Sequence, residues 1–367
     1  MTVSGPKVRD YTNRERTLPV LVDADPIYEV LLALFVIHGG NDLDEYAEGL
    51  TLIERLEASD DTTLRADLDA LGSCGEVWLS LLGITRDLPE PRSIAQLADT
   101  IESMDTVELR RTLLRNVGIK PARGFTESDI AGAAAGDPAS IAAVFADAEH
   151  DASLRNIMER SPDETAQLIA SILRRFDDAV GSWLMRVRPI LERDATSTRS
   201  MARTMSPARL VEKATNGVTF EMQPQVSGIL LIPSVIIRPW VVISEHGTLR
   251  VFCYSVADEA LEGDLDAPPH YMVEVFKALG DERRLRILGV LAEGDAGLRD
   301  IAERIDLAKS TAHHHLRVLR SAGLVRITIG EDDKRYGLRR DSVPEVSRLL
   351  ESFLASHEAT PPGKEPR

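Results

Sequence analysis

The chain has 367 residues, of which 43% are hydrophobic and 28% charged, and a formal net charge of −16. That length calls for more than one folding unit, and the apolar content can fill their cores, which excludes a disordered or collagen-like chain. Two cysteines, Cys74 and Cys253, are too few for a disulfide framework, and the longest clean apolar run, the eight residues from Val30 to Ile37, falls far short of the ~20 that a spanning helix needs.

Residues 1–24 read as a flexible arm. Their polar start, with Lys7, Arg9, Arg14 and Arg16, lacks the apolar stretch of a secretory signal, so a cytoplasmic protein with reduced thiols is expected. Asp25-Pro26 then opens a helix that Gly39-Gly40 ends, with Tyr28, Leu31, Leu32, Phe35 and Val36 at helical spacing. Short amphipathic helices are predicted around 42–57, 61–71, 75–82, 93–103, 106–117, 126–134 and 138–148. Ser161-Pro162-Asp163-Glu164 is a capping box that starts a long helix with Leu168, Ile172, Leu173, Phe176, Val180 and Leu184 on one face. Ser206-Pro207 starts another, which Asn216-Gly217 stops.

The pattern then changes to β-branched and aromatic runs, at 218–222, 228–237, 241–244 and 248–256. With Glu245-His246-Gly247 as a hairpin turn, these predict a small β-meander closing a mostly helical regulatory or dimerisation domain over 25–257. Trp78, Trp183 and Trp240 read as core residues. The acidic stretch 258–270, with Pro268-Pro269, reads as a linker, and 356–367 as a disordered tail.

From 271 to 355 the signals sharpen. A helix over 271–279 is broken at Gly280, and Asp281 caps the next. Leu298–Ile305 is a short amphipathic helix, Asp306-Leu307-Ala308 a tight turn, and Lys309–Ser321 a second helix ended at Ala322-Gly323. Strands from Leu324 to Ile329 and from Arg335 to Leu338 flank a turn at 330–334. Two helices joined by a three-residue turn and followed by a hairpin predict a winged helix-turn-helix. The fold class expected is therefore mainly α with a small β-meander, in a helical N-terminal domain plus this C-terminal one.

On the second helix, Ala312, Leu316 and Leu319 form an inner apolar stripe, while Ser310, His313, His314 and Arg317 form an outer one of hydrogen-bonding or cationic groups. Such a row fits the major groove of double-stranded DNA. Lys309 and the first amides of the helix can meet a phosphate, Thr311 sits between the stripes, and Lys334 and Arg335 lie at the hairpin tip. Charge distribution agrees: residues 309–340 carry eight Lys/Arg against three Asp/Glu within a strongly acidic chain.

These residues resemble the ArsR-like winged-helix repressors. The resemblance lies in Ala278-Leu279-Gly280-Asp281 through Arg284-Leu285-Arg286-Ile287-Leu288, and in Lys309-Ser310-Thr311 through His314-His315-Leu316-Arg317-Val318-Leu319 followed by Ala322-Gly323-Leu324-Val325. It covers about residues 271–350 and departs from the family pattern at Glu282, often Pro, and His313, usually Ser. It implies a DNA-binding transcription regulator, most simply a repressor, acting as a homodimer on an inverted-repeat operator. It also places His315 as a packing residue.

No metal or other cofactor is expected. The stretch Leu298–Ile305 lacks the Cys-x-Cys motif of the family's thiolate sensors, and His313, His314 and His315 point ~100° apart around a helix and cannot converge on one ion. Gly132-Ala133-Ala134-Ala135-Gly136-Asp137 follows a helical segment and reads as a turn between helices, not a cofactor loop. No catalytic constellation is present, so no enzyme is expected. The effector, a small molecule or a protein, is not identified by any motif. The competing reading is a winged-helix interaction protein that binds a protein partner instead of DNA.

Overall fold

The structure is a computed structural model, and it describes residues 18–39, 43, 46, 49–59, 61–116, 126–146, 152–220, 226–261, 270–329, 334–340 and parts of 342–354. The expected arm over 1–17, most of 40–48, the residues 262–269, the wing turn at 330–333 and the tail lie outside the described residues.

The expected arm does not extend to residue 24. Val20–Val22 forms β1, which pairs in parallel with Gly228–Ser234, here β3. The helix α1 (Ile27–His38) follows, with the Asp25 carboxylate accepting from the Ile27 amide at 3.0 Å and Gly39 ending it. Then come α2 (Gly49–Ala58), α3 (Thr62–Leu71), α4 (Glu76–Ser80), α5 (Leu82–Arg86), α6 (Ile94–Ser103), α7 (Thr106–Asn116), α8 (Glu127–Ala135), α9 (Pro138–Val144) and α10 (Ala152–Glu159). Gly136 is the left-handed C-cap of α8, so the glycine pair at 132 and 136 belongs to a helix and its end.

The predicted long helix is α11 (Pro162–Ala202), 41 residues. Its capping box forms as read: the Ser161 hydroxyl accepts from the Glu164 amide at 3.2 Å, and the Glu164 carboxylate accepts from the Ser161 amide at 2.9 Å. Its buried stripe runs from Ile169 through Ile172, Leu173, Phe176, Val180, Trp183, Val187 and Leu191 to Ala195, spacings of three and four that one helical face requires. The helices α1, α2, α3, α6 and α7 pack along it, as do β1 and β3. Trp78 and Trp183 are fully buried in this core, and Trp240 is not. Both cysteines are buried and neither is in a disulfide; burial, with the Glu29 carboxylate beside it, pushes the Cys253 thiol up.

The strands do not form the expected meander. After α12 (Pro207–Ala214), β2 (Val218–Phe220) leaves for a different sheet. The first sheet has the order β1-β3-β5-β4, with β4 (Val242–His246) and β5 (Leu249–Ser255); β1, β3 and β5 are parallel, and only the β4–β5 hairpin is antiparallel. All seven residues of β3 are buried, as expected of a central parallel strand covered on both faces. The expected linker also starts later than 258, because Asp258–Ala260 is a 3-10 turn held by an Arg238–Asp258 ion pair and by Arg193 donating to the Ala260 carbonyl.

The C-terminal helices and hairpin fall where they were expected: α13 (His270–Leu279), α14 (Glu282–Glu293) capped by Asp281, α15 (Leu298–Arg304), α16 (Lys309–Ser321), β7 (Val325–Ile329) and β8 (Lys334–Leu338), while the short strand β6 (Ala296–Gly297) before α15 was not expected. The second sheet has the order β2-β7-β8-β6, so β2 adds a parallel strand to the wing.

One buried carboxylate organises the first sheet. Glu29, on α1, accepts from the amides of Val235 at 2.8 Å and Ile236 at 2.7 Å, just past β3. Glu29→Ala would leave both amides buried without that acceptor, and each such loss costs about 1–3 kcal/mol. Urea unfolding should therefore show a loss of about 2–6 kcal/mol, and Glu29→Gln, which keeps a carbonyl acceptor, should lose clearly less.

Candidate DNA-binding face

Local chemistry places α16 at a fixed angle to α15. Asp306 takes a left-handed φ of 55°, and the Leu307 amide closes the turn onto the Ala302 carbonyl at 3.0 Å. Ala308 is the N-cap of α16 and provides no side-chain acceptor, so no side chain at the cap occupies the first amides. The inner stripe Ala312, Leu316 and Leu319 is fully buried. Lys309, Ser310, His313 and His314 are exposed and Thr311 is half-buried. The exposed residues present donors, cations and imidazoles with no carboxylate among them. Among the described residues, no three His, Cys, Asp or Glu side chains are grouped to hold a metal ion.

His315 is 7% exposed, and neither ring nitrogen finds a partner among the described residues. Burial holds its pKa below the ordinary value, against the attraction of Asp281. It is the packing residue the resemblance implied. The His313 pKa is likewise lowered, first by burial and then by the charges of Lys334, Arg320 and His314. Lys334 is therefore close enough to act on the exposed row of α16. Arg335 is exposed but points elsewhere: side chains alternate along β8, Tyr336 turns inward, and the Arg335 guanidinium donates to the Asp295 carbonyl at 2.6 Å.

Arg317 lies apart from the open row. Its guanidinium carbon sits 4.8 Å from the ring centroid of Trp240, and that of Arg320 sits 5.9 Å from the same ring. Burial pulls the Arg320 pKa down. Trp240 follows β3 in the N-terminal body, so that body covers the C-terminal half of the second helix. Sequence reading missed this contact. Trp240 stands in an Arg-Pro-Trp turn between two strands, a position outside the apolar periodicities, and that was its only local signal.

The junction beside this contact is continuous. Thr219 and Thr328 hydroxyls meet at 2.8 Å across β2 and β7, and the Ile327 amide donates to the Gly217 carbonyl at 3.2 Å. Arg339 donates to the Asn216 side-chain oxygen and, at 2.8 Å, to the Gly323 carbonyl. Gly323 is needed twice here. Its φ of 65° ends α16, and a Cβ there would stand 2.5 Å from the Asn216 amide group.

The turn, the two helices, the hairpin and the cationic open row together define a winged helix-turn-helix DNA-binding regulator. The profile of the bacterial regulatory protein arsR family matches residues 281–326. The chain is 35% identical over 81 residues to an uncharacterized HTH-type transcriptional regulator of Methanocaldococcus jannaschii, covering 22% of this chain and 91% of that one. It is 41% identical over 59 residues to a homolog of the cadmium resistance transcriptional regulatory protein CadC from Staphylococcus aureus, covering 16% of this chain and 49% of that one. It is 40% identical over 83 residues to a homolog of the transcriptional repressor SmtB from Synechocystis, covering 23% and 63%. Among solved structures it is similar to a homodimeric winged helix-turn-helix DNA-binding domain from Mycobacterium bovis, at 27% identity and a TM-score of 0.20, covering 26% of this chain and 88% of that one. The chain belongs to the arsR family of transcription regulators.

A phosphate brought beside His313 favours its protonated form, so binding takes up a proton. Because the free pKa is lowered, affinity should be highest below that free value. It should fall as pH rises through the window between the free and bound values, a window that opens below ~6.5. Operator affinity from about pH 5 to 8 at constant ionic strength should show this slope, and His313→Ser should flatten it; equal slopes would assign the proton to another group.

Proposed function

We propose that this protein represses transcription from cytoplasmic DNA as a homodimer on an inverted-repeat operator, with one α16 in the major groove of each half-site. The observation that carries this reading is the open row Lys309, Ser310, His313 and His314 on a helix whose first amides no cap side chain occupies. Ser310, His313, His314 and Arg317 contact base edges in this reading. Lys309, Thr311 and the helix N-terminus hold phosphate. Lys334 supplies the wing's contact to the backbone, and Arg335 adds one only where it leaves the Asp295 carbonyl. Three exposed apolar side chains, Phe276, Leu285 and Leu354, support a subunit contact on the winged-helix part. The relatives are regulators of transcription, and the reading assigns this chain no reaction.

The Trp240 contact gives the N-terminal body its role. It holds Arg317 and Arg320 on the indole, so that the body controls how much of α16 reaches DNA, and an effector acts by changing that hold.

DNA that co-purifies with the protein, once sequenced, provides the operator for the tests. Arg317→Ala and His314→Ala should each weaken operator binding by about 1–3 kcal/mol while leaving the fold intact; a double variant that binds like wild type would take α16 out of the groove. Lys334→Ala should lower the salt slope by about 0.9, whereas a protein-binding wing would show no duplex shift at all. Trp240→Ala should tighten operator binding by about 2- to 30-fold, the equivalent of the ~0.5–2 kcal/mol of a cation–π contact. Weaker binding in Trp240→Ala would mean that the indole supports Arg317 on DNA instead of withholding it.

A further inference from the structure

A concavity of about 840 Å³ opens at the seam between the end of α11, α12 and the wing. Among the described residues its lining holds six cations, Arg209, Lys213, Arg326, Arg339, Arg340 and Arg348, and one carboxylate, Glu212. In a chain of net charge −16 this is the reverse of the overall balance. Two of the cations are paired with acids: Arg209 with Glu212 at 3.1 Å, and Arg326 with Asp295 at 2.7 Å. Three others direct their described hydrogen bonds to neutral oxygens. Arg339 reaches Asn216 and Gly323, Arg340 reaches the Ala292 carbonyl at 2.7 Å, and Arg348 reaches the Pro344 carbonyl at 3.2 Å. Those bonds hold the guanidiniums in place without neutralising them. Like charges gathered in a concave wall repel one another and focus a positive potential into the space between them.

We propose that this cavity binds a small phosphorylated molecule with two or more phosphate groups, and that this ligand is the effector of the regulator. Guanidinium forks match phosphate oxygens in pairs, and the volume suits a nucleotide-sized ligand. The cations come from both sides of the seam, Arg209 and Lys213 from α12 and the rest from the wing and the residues after it. A bound polyanion therefore bridges the two parts. Arg339 couples the cavity to α16, because the same side chain that lines the cavity bonds Asn216 and the Gly323 carbonyl at the end of that helix. This inference rests on the N-terminal body being the sensor.

The test uses the full chain without DNA and inorganic pyrophosphate as the probe, followed by calorimetry and thermal unfolding. Saturable binding of one pyrophosphate per chain is expected. Arg340→Glu and Arg348→Glu, both at exposed positions, should weaken it by about tenfold or more each, the size of a lost charge-assisted bond. Circular dichroism should show both variants folded, and Arg317→Ala, outside the cavity, should bind pyrophosphate like wild type. Absence of saturable binding, or binding that both charge reversals leave intact, would overturn the proposal. So would a result in which pyrophosphate does not bind but both reversals weaken every duplex alike, because the cations would then serve DNA phosphates. Since no DNA is present in the first arm, its failure leaves the reading of α16 untouched, and failure of the α16 variants leaves the cavity assay interpretable.

Discussion

The parallel pairing of β2 with β7 is the constraint on which the arrangement of this molecule depends. Three residues, Val218, Thr219 and Phe220, leave the N-terminal body and complete the wing's sheet. Left uncovered, β7 would present an edge of unpaired amides and carbonyls. The turn into β2 uses two left-handed residues, Asn216 at φ 52° and Gly217 at φ 110°, directly after α12. Phe220 then packs against Phe252 of the first sheet, with ring centroids 5.4 Å apart, so the two sheets share an aromatic contact at the junction.

This docking divides α16 along its length. Its N-terminal half meets solvent with a cation, a hydroxyl and two imidazoles, while its C-terminal half carries two guanidiniums under Trp240. The division matters electrostatically because the chain is strongly acidic overall, whereas the open half of α16 presents no carboxylate.

The N-terminal body is built around one helix. Its long helix α11 supplies one continuous apolar stripe, and near the stripe's end Asp194 accepts from the Tyr254 hydroxyl at 2.7 Å and from the Ala257 amide at 2.8 Å. Burial raises the Asp194 pKa against those bonds. The helix is thereby tied to the end of β5, close to the chain that leads on to the winged helix.

What the sequence determined by itself was local. The ends of α1, α11, α12 and α14 followed from Asp25, Ser161, Ser206 and Asp281, because a cap bonds amides two or three residues away. The winged helix-turn-helix, its buried stripe and its polar row, Arg317 excepted, were legible for the same reason, since spacings of three and four fix a helical face. Tertiary structure alone decided what pairs with what. A short apolar run announces a strand but not its neighbour, so β1 in place of an arm, the parallel β1-β3-β5 order and the transfer of β2 to the wing could not be read. The same holds for Trp240, which met two arginines almost eighty residues on instead of the core, and for the cations of the seam cavity. Contacts between residues that far apart depend on which surfaces the assembled elements leave facing each other, and no local spacing encodes that.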